Sequence, residues 1–274
     1  MSPIDESEAQ ALPVGFRDVD GAPLDKILHC LNTLAHLDGV RRYKDFALQR
    51  LELRPGQEAL DVACGLGDDV AAMAEACGRA TGFDAAASLL HAAAKRHASE
   101  KCRFSKGDAH ALPFPDDVFD AVRIDRSLQH IARPDLVVRE MVRTAKPGGR
   151  VLCAEPDWGT FLIGGPHDAV VERIEHDWIR SFRNPWIGRE LSSLLRLAGI
   201  AKPRVEGFWL PTFGFADSDT LFEIELGARR LAETDPSAAK WLELWKSGEA
   251  YAGVLIVVAW GEKSDPSAAT PVQR

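Results

Sequence analysis

The sequence has no paired cysteines, no basic stripe and no membrane-length apolar run, and each gap removes a class of protein. Its five cysteines, Cys30, Cys64, Cys77, Cys102 and Cys153, stand singly without C-x-x-C spacing. That argues against a zinc site and against a disulfide framework, so no metal is expected and a reducing cytoplasm fits. The apolar run at 254–260 has strand length and falls short of the ~20 residues that cross a bilayer, so no membrane partner is expected. Segment 2–8 is acidic rather than basic and apolar, unlike a secretory signal. No block of like charges and no basic stripe with interleaved aromatics occurs in a chain of net charge −8, so nucleic acid is not an expected partner. No internal repeat is visible. What remains is 274 residues, 46% of them hydrophobic, enough for one large domain or a domain with a cap.

The stretch 59–70 organises the rest. An apolar run ends in Asp61, two glycines follow at Gly65 and Gly67, and a helical pattern continues through Ala71, Ala72, Met73 and Ala74. This reads as strand, tight turn and helix. Glycines let the backbone pass close to a ligand, and the helix offers free N–H groups at its positive end. The third glycine of a dinucleotide fingerprint would fall at Val70, so the strict G-x-G-x-x-G is absent. Asp61 at the strand tip would repel a pyrophosphate and suits a cationic group.

In these residues, Asp61-Val62-Ala63-Cys64-Gly65-Leu66-Gly67, the chain resembles the class I S-adenosylmethionine-dependent methyltransferases, whose first motif is an acid followed by a G-x-G turn. That family usually has glycine where Ala63 stands, and alanine is the mildest departure. The cofactor carries an ammonium and a sulfonium and no phosphate, in keeping with Asp61. A short second strand, 80–84, ends in Asp84, near the ~20-residue offset at which an acid accepts ribose hydroxyls. A third strand, 102–109, runs into Asp108 and Ala109, an Asp-Ala pair that the resemblance sets against the adenine. The turn 112–115 followed by 116–120 is similar to the ubiquinone/menaquinone-methyltransferase branch of the family. After the fourth strand, 119–125, comes Arg126-Ser127-Leu128-Gln129-His130-Ile131, where that branch carries a Leu-His-His sequence and His130 takes the second histidine place. The resemblance implies S-adenosylmethionine as cofactor, S-adenosylhomocysteine as product, and binding residues Arg41, Asp61, Ala63, Gly65, Gly67, Asp84, Ala85, Asp108, Ala109, Arg126 and His130.

The expected fold is α/β: a doubly wound, Rossmann-like, mostly parallel seven-stranded sheet with an N-terminal helical lid and a helical substrate cap. Residues 1–54 form a loose arm, to about 20, and two amphipathic lid helices at 24–37 and 40–51, the second bearing Arg41. Residues 55–262 form the core, with strand five at 150–155, a cap inserted at about 156–200, a strand at 204–213, further helices at about 217–247 and a last strand at 251–261. Residues 263–274 read as a disordered polar tail.

The expected reaction is methyl transfer to a small-molecule acceptor, metabolic or natural-product, by in-line displacement, in a monomer or homodimer. His130 and Glu155 are the candidate catalytic residues. His130 could equally cap the following helix or shape the pocket, and Glu155 and Asp157 could be bases or turn residues. His167 and His176 have no distinguishing spacing. Trp158, Phe161, Trp178, Phe182, Trp186, Phe208 and Trp209 either line a pocket or fill the core of the cap. The alternative function is a cofactor-binding relative that catalyses a cyclisation or rearrangement, because the motifs report cofactor binding and not the reaction.

Overall fold

The computed structural model describes residues 12–165, 168–248 and 250–264. The strands are β1 (Glu58–Val62), β2 (Arg79–Asp84), β3 (Cys102–Lys106), β4 (Phe119–Asp125), β5 (Ala145–Ile163), β6 (Arg204–Phe213) and β7 (Tyr251–Glu262). They form one seven-stranded sheet in the order β3-β2-β1-β4-β5-β7-β6. Strands β1 to β5 pair in parallel, and β7 runs antiparallel between β5 and β6. The chain winds outward from β1 to β3, then returns to lay β4 on the other side of β1. The order therefore reverses between β1 and β4, and a crevice opens at their carboxyl ends.

The helices are α1 (Leu12–Gly15), α2 (Leu24–His36), α3 (Asp38–Arg50), α4 (Asp68–Cys77), α5 (Ala87–Arg96), α6 (Pro134–Thr144), α7 (Ala169–Ser181), α8 (Ile187–Leu197), α9 (Phe215–Phe222), α10 (Ile224–Ala232) and α11 (Ser237–Ser247). Strands covered on both faces are apolar throughout rather than alternating. Thus Leu60, Val62, Val122 and Ile124 face one core with α6 and α8, while Ala59 and Ala121 face a second core with α3, α4 and the cap. Among the described residues no helix is long and apolar enough to cross a membrane.

Four expectations need correction. Strand five does not stop at 155: β5 spans Ala145–Ile163 and pairs with β7 beyond Asp157 after a register shift. Past Ala154 it has lost β4 as a neighbour, so Pro156 sits where a strand has one partner only and proline is tolerated. Helix α8, expected in the cap, packs on β5 and β7 instead, burying Ile187, Leu191 and Leu195. The cap is built from α7 with α9, α10 and α11. The first of the further helices expected from about 217 breaks at Glu223, which is left-handed at φ 46 and ion-paired to Lys26, while Asp219 Oδ1 accepts from Glu225 N at 2.7 Å to start α10. The arm is ordered over 12–21, where Asp20 accepts from the backbone N of Ala87 and Ser88 at 2.9 and 3.0 Å and closes the start of α5. The remainder of the arm (1–11), His167 and the tail from 265 lie outside the described residues.

Candidate active site

The turn after β1 holds three residues with positive φ, Ala63 at 55, Gly65 at 53 and Gly67 at 77. Only Ala63 pays a Cβ clash there, which is why glycine is the ordinary residue at that position. A Cβ on Gly65 would meet nothing within 4 Å, whereas one on Gly67 would strike the Phe104 ring at 2.8 Å. Gly65 thus faces open space and Gly67 lets α4 pack against β3. The turn is fixed by Asp84, whose Oδ2 accepts from Gly65 N and Oδ1 from Ala86 N, both at 2.9 Å. Burial raises the Asp84 carboxyl above its usual value despite these bonds. Each oxygen keeps a further lone pair for a ligand hydroxyl.

The turn opens into a cavity of about 700 Å³ at the carboxyl edge of the sheet. Arg41, Asp61, Ala63, Gly65, Gly67, Asp84, Ala85, Asp108, Ala109, Arg126 and His130 all line it. Arg41 lies on the rim, exposed and paired to Asp38 at 3.3 Å. Asp108 is also exposed, its Oδ1 accepting from His110 N at 2.9 Å. At the other end the walls are Phe16, Trp158, Trp178, Phe182, Leu210 and Phe222, contributed by the arm, β5, the cap and β6. Trp158, Trp178 and Phe182 are therefore pocket walls; Phe161 packs behind them, Phe208 packs on Phe46, and Trp186 and Trp209 are among the exposed apolar residues.

Beneath the turn lies a buried charge cluster. Arg123, in β4, reaches Asp69 at 2.7 Å, Asp125 at 3.1 Å and Asp61 at 3.7 Å. Lys44 of α3 joins Asp69 and Asp125, and Tyr43 donates to Asp125 Oδ1 at 3.1 Å. Burial pushes Asp61 up to about 7 against the pull of Arg123. For Asp69 burial is outweighed by Arg123 and Lys44, and its carboxyl stays well below the usual range. Arg126, left-handed at φ 51, stands 3.5 Å from Asp125, yet its buried Nε and Nη1 have no hydrogen-bond partner among the described residues.

Glu155 is not placed to act as a base. It is fully buried away from the cavity, and its carboxylate accepts from the backbone N of Ser127 and Leu128 at 2.7 Å. Burial pushes it up to about 8. Its role is to hold the turn that carries His130, which Asn184 clamps from outside by donating to the Leu128 and Ile131 carbonyls at 2.7 Å. Asp157 likewise serves structure, forked by Arg189 at 2.6 and 2.8 Å, and His176 is exposed beside Asp177. His130 sits between Phe16 and Phe182 and is driven down to about 3 by burial, then by Arg17 and Arg183. It is neutral near pH 7 and too weak a base to take a proton efficiently.

Sequence reasoning missed Arg123, Arg17 and Arg183, and read Tyr43 and Lys44 only as part of the polar run on the second lid helix beside Arg41 and Arg42, either a solvated basic face or the carrier of a cofactor-binding arginine. An arginine inside an apolar strand was the available signal for Arg123. Nothing local marks Arg17 or Arg183.

Comparison with known proteins places these features. The family described as "Methyltransferase domain" matches residues 60–153. An uncharacterised 37.1 kDa protein of a Streptomyces fradiae transposon is 34% identical over 268 residues, covering 92% of this chain and 76% of that protein. The demethylmenaquinone methyltransferase of Bacillus cereus is 27% identical over 208 residues, 68% of this chain and 86% of the enzyme. Among solved structures, the 4+2 cyclase SpnF superposes with a TM-score of 0.54 at 23% identity, over 91% of this chain and 97% of that one. The last likeness speaks for the fold alone.

Proposed function

Because the chain belongs to the class I S-adenosylmethionine-dependent methyltransferases, in the branch that holds the demethylmenaquinone methyltransferases, we propose that it methylates a small metabolic or natural-product acceptor by in-line displacement. The observation that carries this reading is a continuous cavity joining the glycine turn to an aromatic chamber under the cap. Its volume falls in the range of small-molecule sites and leaves room beyond the cofactor end.

The residues present fit S-adenosylmethionine. Open space over Gly65 admits a ligand against the backbone, and Arg126, whose Nη1 has no hydrogen-bond partner among the described residues although its Nε lies 3.5 Å from Asp125, can take the methionine carboxylate. In this reading Asp84 accepts the ribose hydroxyls, Ala85 follows it along the same wall, and Asp108 and Ala109 meet the adenine. Asp61 faces the ammonium end, and Arg41 screens the rim. When bound, the cofactor supplies a methyl group on a cationic sulfur. The work left to the chain is to align an acceptor atom with that methyl and to exclude water, which the arm and cap do by roofing the cavity with Phe16, Trp178 and Phe182. His130, neutral and packed between rings, orients the acceptor.

Calorimetric titration with S-adenosylmethionine and S-adenosylhomocysteine tests the reading on wild type and Asp84→Ala. Micromolar binding that collapses in the variant is expected, and absence of binding by wild type refutes it. A bound cofactor with a product isomeric to the acceptor, lacking the mass of an added methyl group, favours instead a cyclisation or rearrangement.

A further inference from the structure

The aromatic chamber carries polar groups that its own walls leave unanswered. Trp158 and Phe182 stack at 4.2 Å, and Trp178 meets Trp158 edge-on at 5.7 Å. The Trp158 indole N–H is satisfied by Gln129 Oε1 at 2.6 Å. The Trp178 indole N–H is not: it is buried with no partner among the described residues, and so is Nδ1 of His130. Both side chains line the cavity. Buried donors and acceptors left open in this way are costly, and both belong to side chains that line the chamber, so a ligand hydroxyl reaching them as the two rings shift would answer both. In the tautomer of the neutral ring that carries its proton on Nε2, the unpartnered Nδ1 presents a lone pair.

Two guanidiniums stand where the chamber meets solvent. Arg17 comes from the arm and Arg183 from the segment between α7 and α8, and both line the cavity. Arg17 donates through Nη2 to the Ser181 carbonyl, a bond that fixes the arm to the cap. Arg183 acts on it as a like charge, and both cations act on His130. Two arginines from distant segments thus converge at this chamber, and among the described residues neither forms an ion pair. Planar forks of this kind match a carboxylate.

Building on the methyltransferase reading, we propose that the acceptor is a hydroxy-substituted aromatic carboxylate. Its carboxylate lies between Arg17 and Arg183, and its ring lies against Trp158, Trp178 and Phe182. Its hydroxyl donates to His130 Nδ1 and accepts from Trp178 Nε1; on transfer the hydroxyl oxygen bonds the methyl carbon as the sulfur–carbon bond breaks, and the phenolic proton leaves to solvent, since His130 is too weak a base to keep it. Charge, ring and hydroxyl each answer a separate feature of the chamber, and an uncharged aliphatic acceptor would answer none of the polar ones.

The test is calorimetry on enzyme first saturated with S-adenosylhomocysteine, with ortho-, meta- and para-hydroxybenzoate as probes and their methyl esters as uncharged controls. At least one acid is expected to bind about tenfold more tightly than its ester. Arg183→Gln should erase that preference while leaving ester affinity in place, Arg17→Gln should erase it while also loosening the arm and so weakening the ester, and Trp178→Phe should weaken acid and ester alike. Arg183 is exposed and its side chain ties no two elements together among the described residues, so its replacement is the one that reads the carboxylate alone. Equal binding of acid and ester, a preference that survives both arginine variants, or no binding of any acid by loaded enzyme overturns the proposal. The saturation step separates the two readings. Enzyme that takes up no S-adenosylhomocysteine refutes the cofactor reading and this one with it, whereas loaded enzyme indifferent to the carboxylate refutes the acceptor class alone.

Discussion

Replacing Arg123 with leucine is the sharpest test of how the cofactor end of the cavity is held together. The guanidinium is almost wholly buried and faces three carboxylates at 2.7, 3.1 and 3.7 Å. Leucine leaves Asp61, Asp69 and Asp125 with Lys44 and Arg126 as the remaining cations nearby. Breaking a buried pair from one side costs about 3–5 kcal/mol, a large part of the ~5–15 kcal/mol that holds a typical domain folded. At this chain length such a loss lowers Tm by roughly 10 °C. The effect has a defined pH dependence. Asp61, raised to about 7 by burial, stabilises the fold fully below its unfolded value and loses that contribution as pH rises through about 7. Asp69 and Asp125, held low because their cations outweigh burial, contribute above the ordinary carboxylate range and lose that contribution on acidification. Removing Arg123 raises all three, so the penalty is larger near about pH 8 than near about pH 5. Urea titrations at both values measure it. The double variant Arg123→Leu, Asp69→Leu should recover more than about 1 kcal/mol, because the two sites are coupled. A penalty below about 1 kcal/mol, or one that shrinks as pH rises, would refute this account of the cluster.

Further outcomes follow from the glycine turn and from the buried acid under residues 127–129. Gly67→Ala should destabilise the fold by more than about 1 kcal/mol, since its Cβ meets the Phe104 ring at 2.8 Å with φ at 77; Ala63→Gly should instead stabilise it by about 0.5 kcal/mol by relieving a left-handed alanine, both read by thermal melts. Glu155→Ala strands backbone amides and should cost about 2 kcal/mol or more, whereas Glu155→Gln should keep cofactor binding and methyl transfer. Since Glu155 is raised to about 8, its contribution fades as pH climbs through that value, so the glutamine variant should show a flatter stability profile across that range, and a loss of transfer in a folded glutamine variant would return Glu155 to the chemistry.

The structure brings the motif residues to one edge of the sheet because each of them follows directly from a strand. Asp61, Asp84, Asp108 and Arg126 are tips or exits of β1 to β4, and a parallel sheet with a switch point collects such tips at its carboxyl edge. Glu155 illustrates the opposite case. As a strand-five acid it looked like the others, but the longer β5 carries it past the crevice and under the turn of residues 127–129. Its neighbours are 26 to 28 positions away in the chain, and no local pattern announces them.

The amino-acid sequence by itself determined the strand-turn-helix corner, the order of strands and helices and hence the sheet, since periodicity, glycine placement and apolar runs act over a few residues. The tertiary structure alone decided which charges are neutralised, which aromatics are walls and which are filling, and how the arm meets the cap. Arg123 meets Asp69, Arg17 meets Ser181 and Tyr43 meets Asp125 across 54, 164 and 82 positions of chain. Such encounters depend on how the sheet twists and where the helices settle, and burial then sets the strength of every charge and hydrogen bond they create.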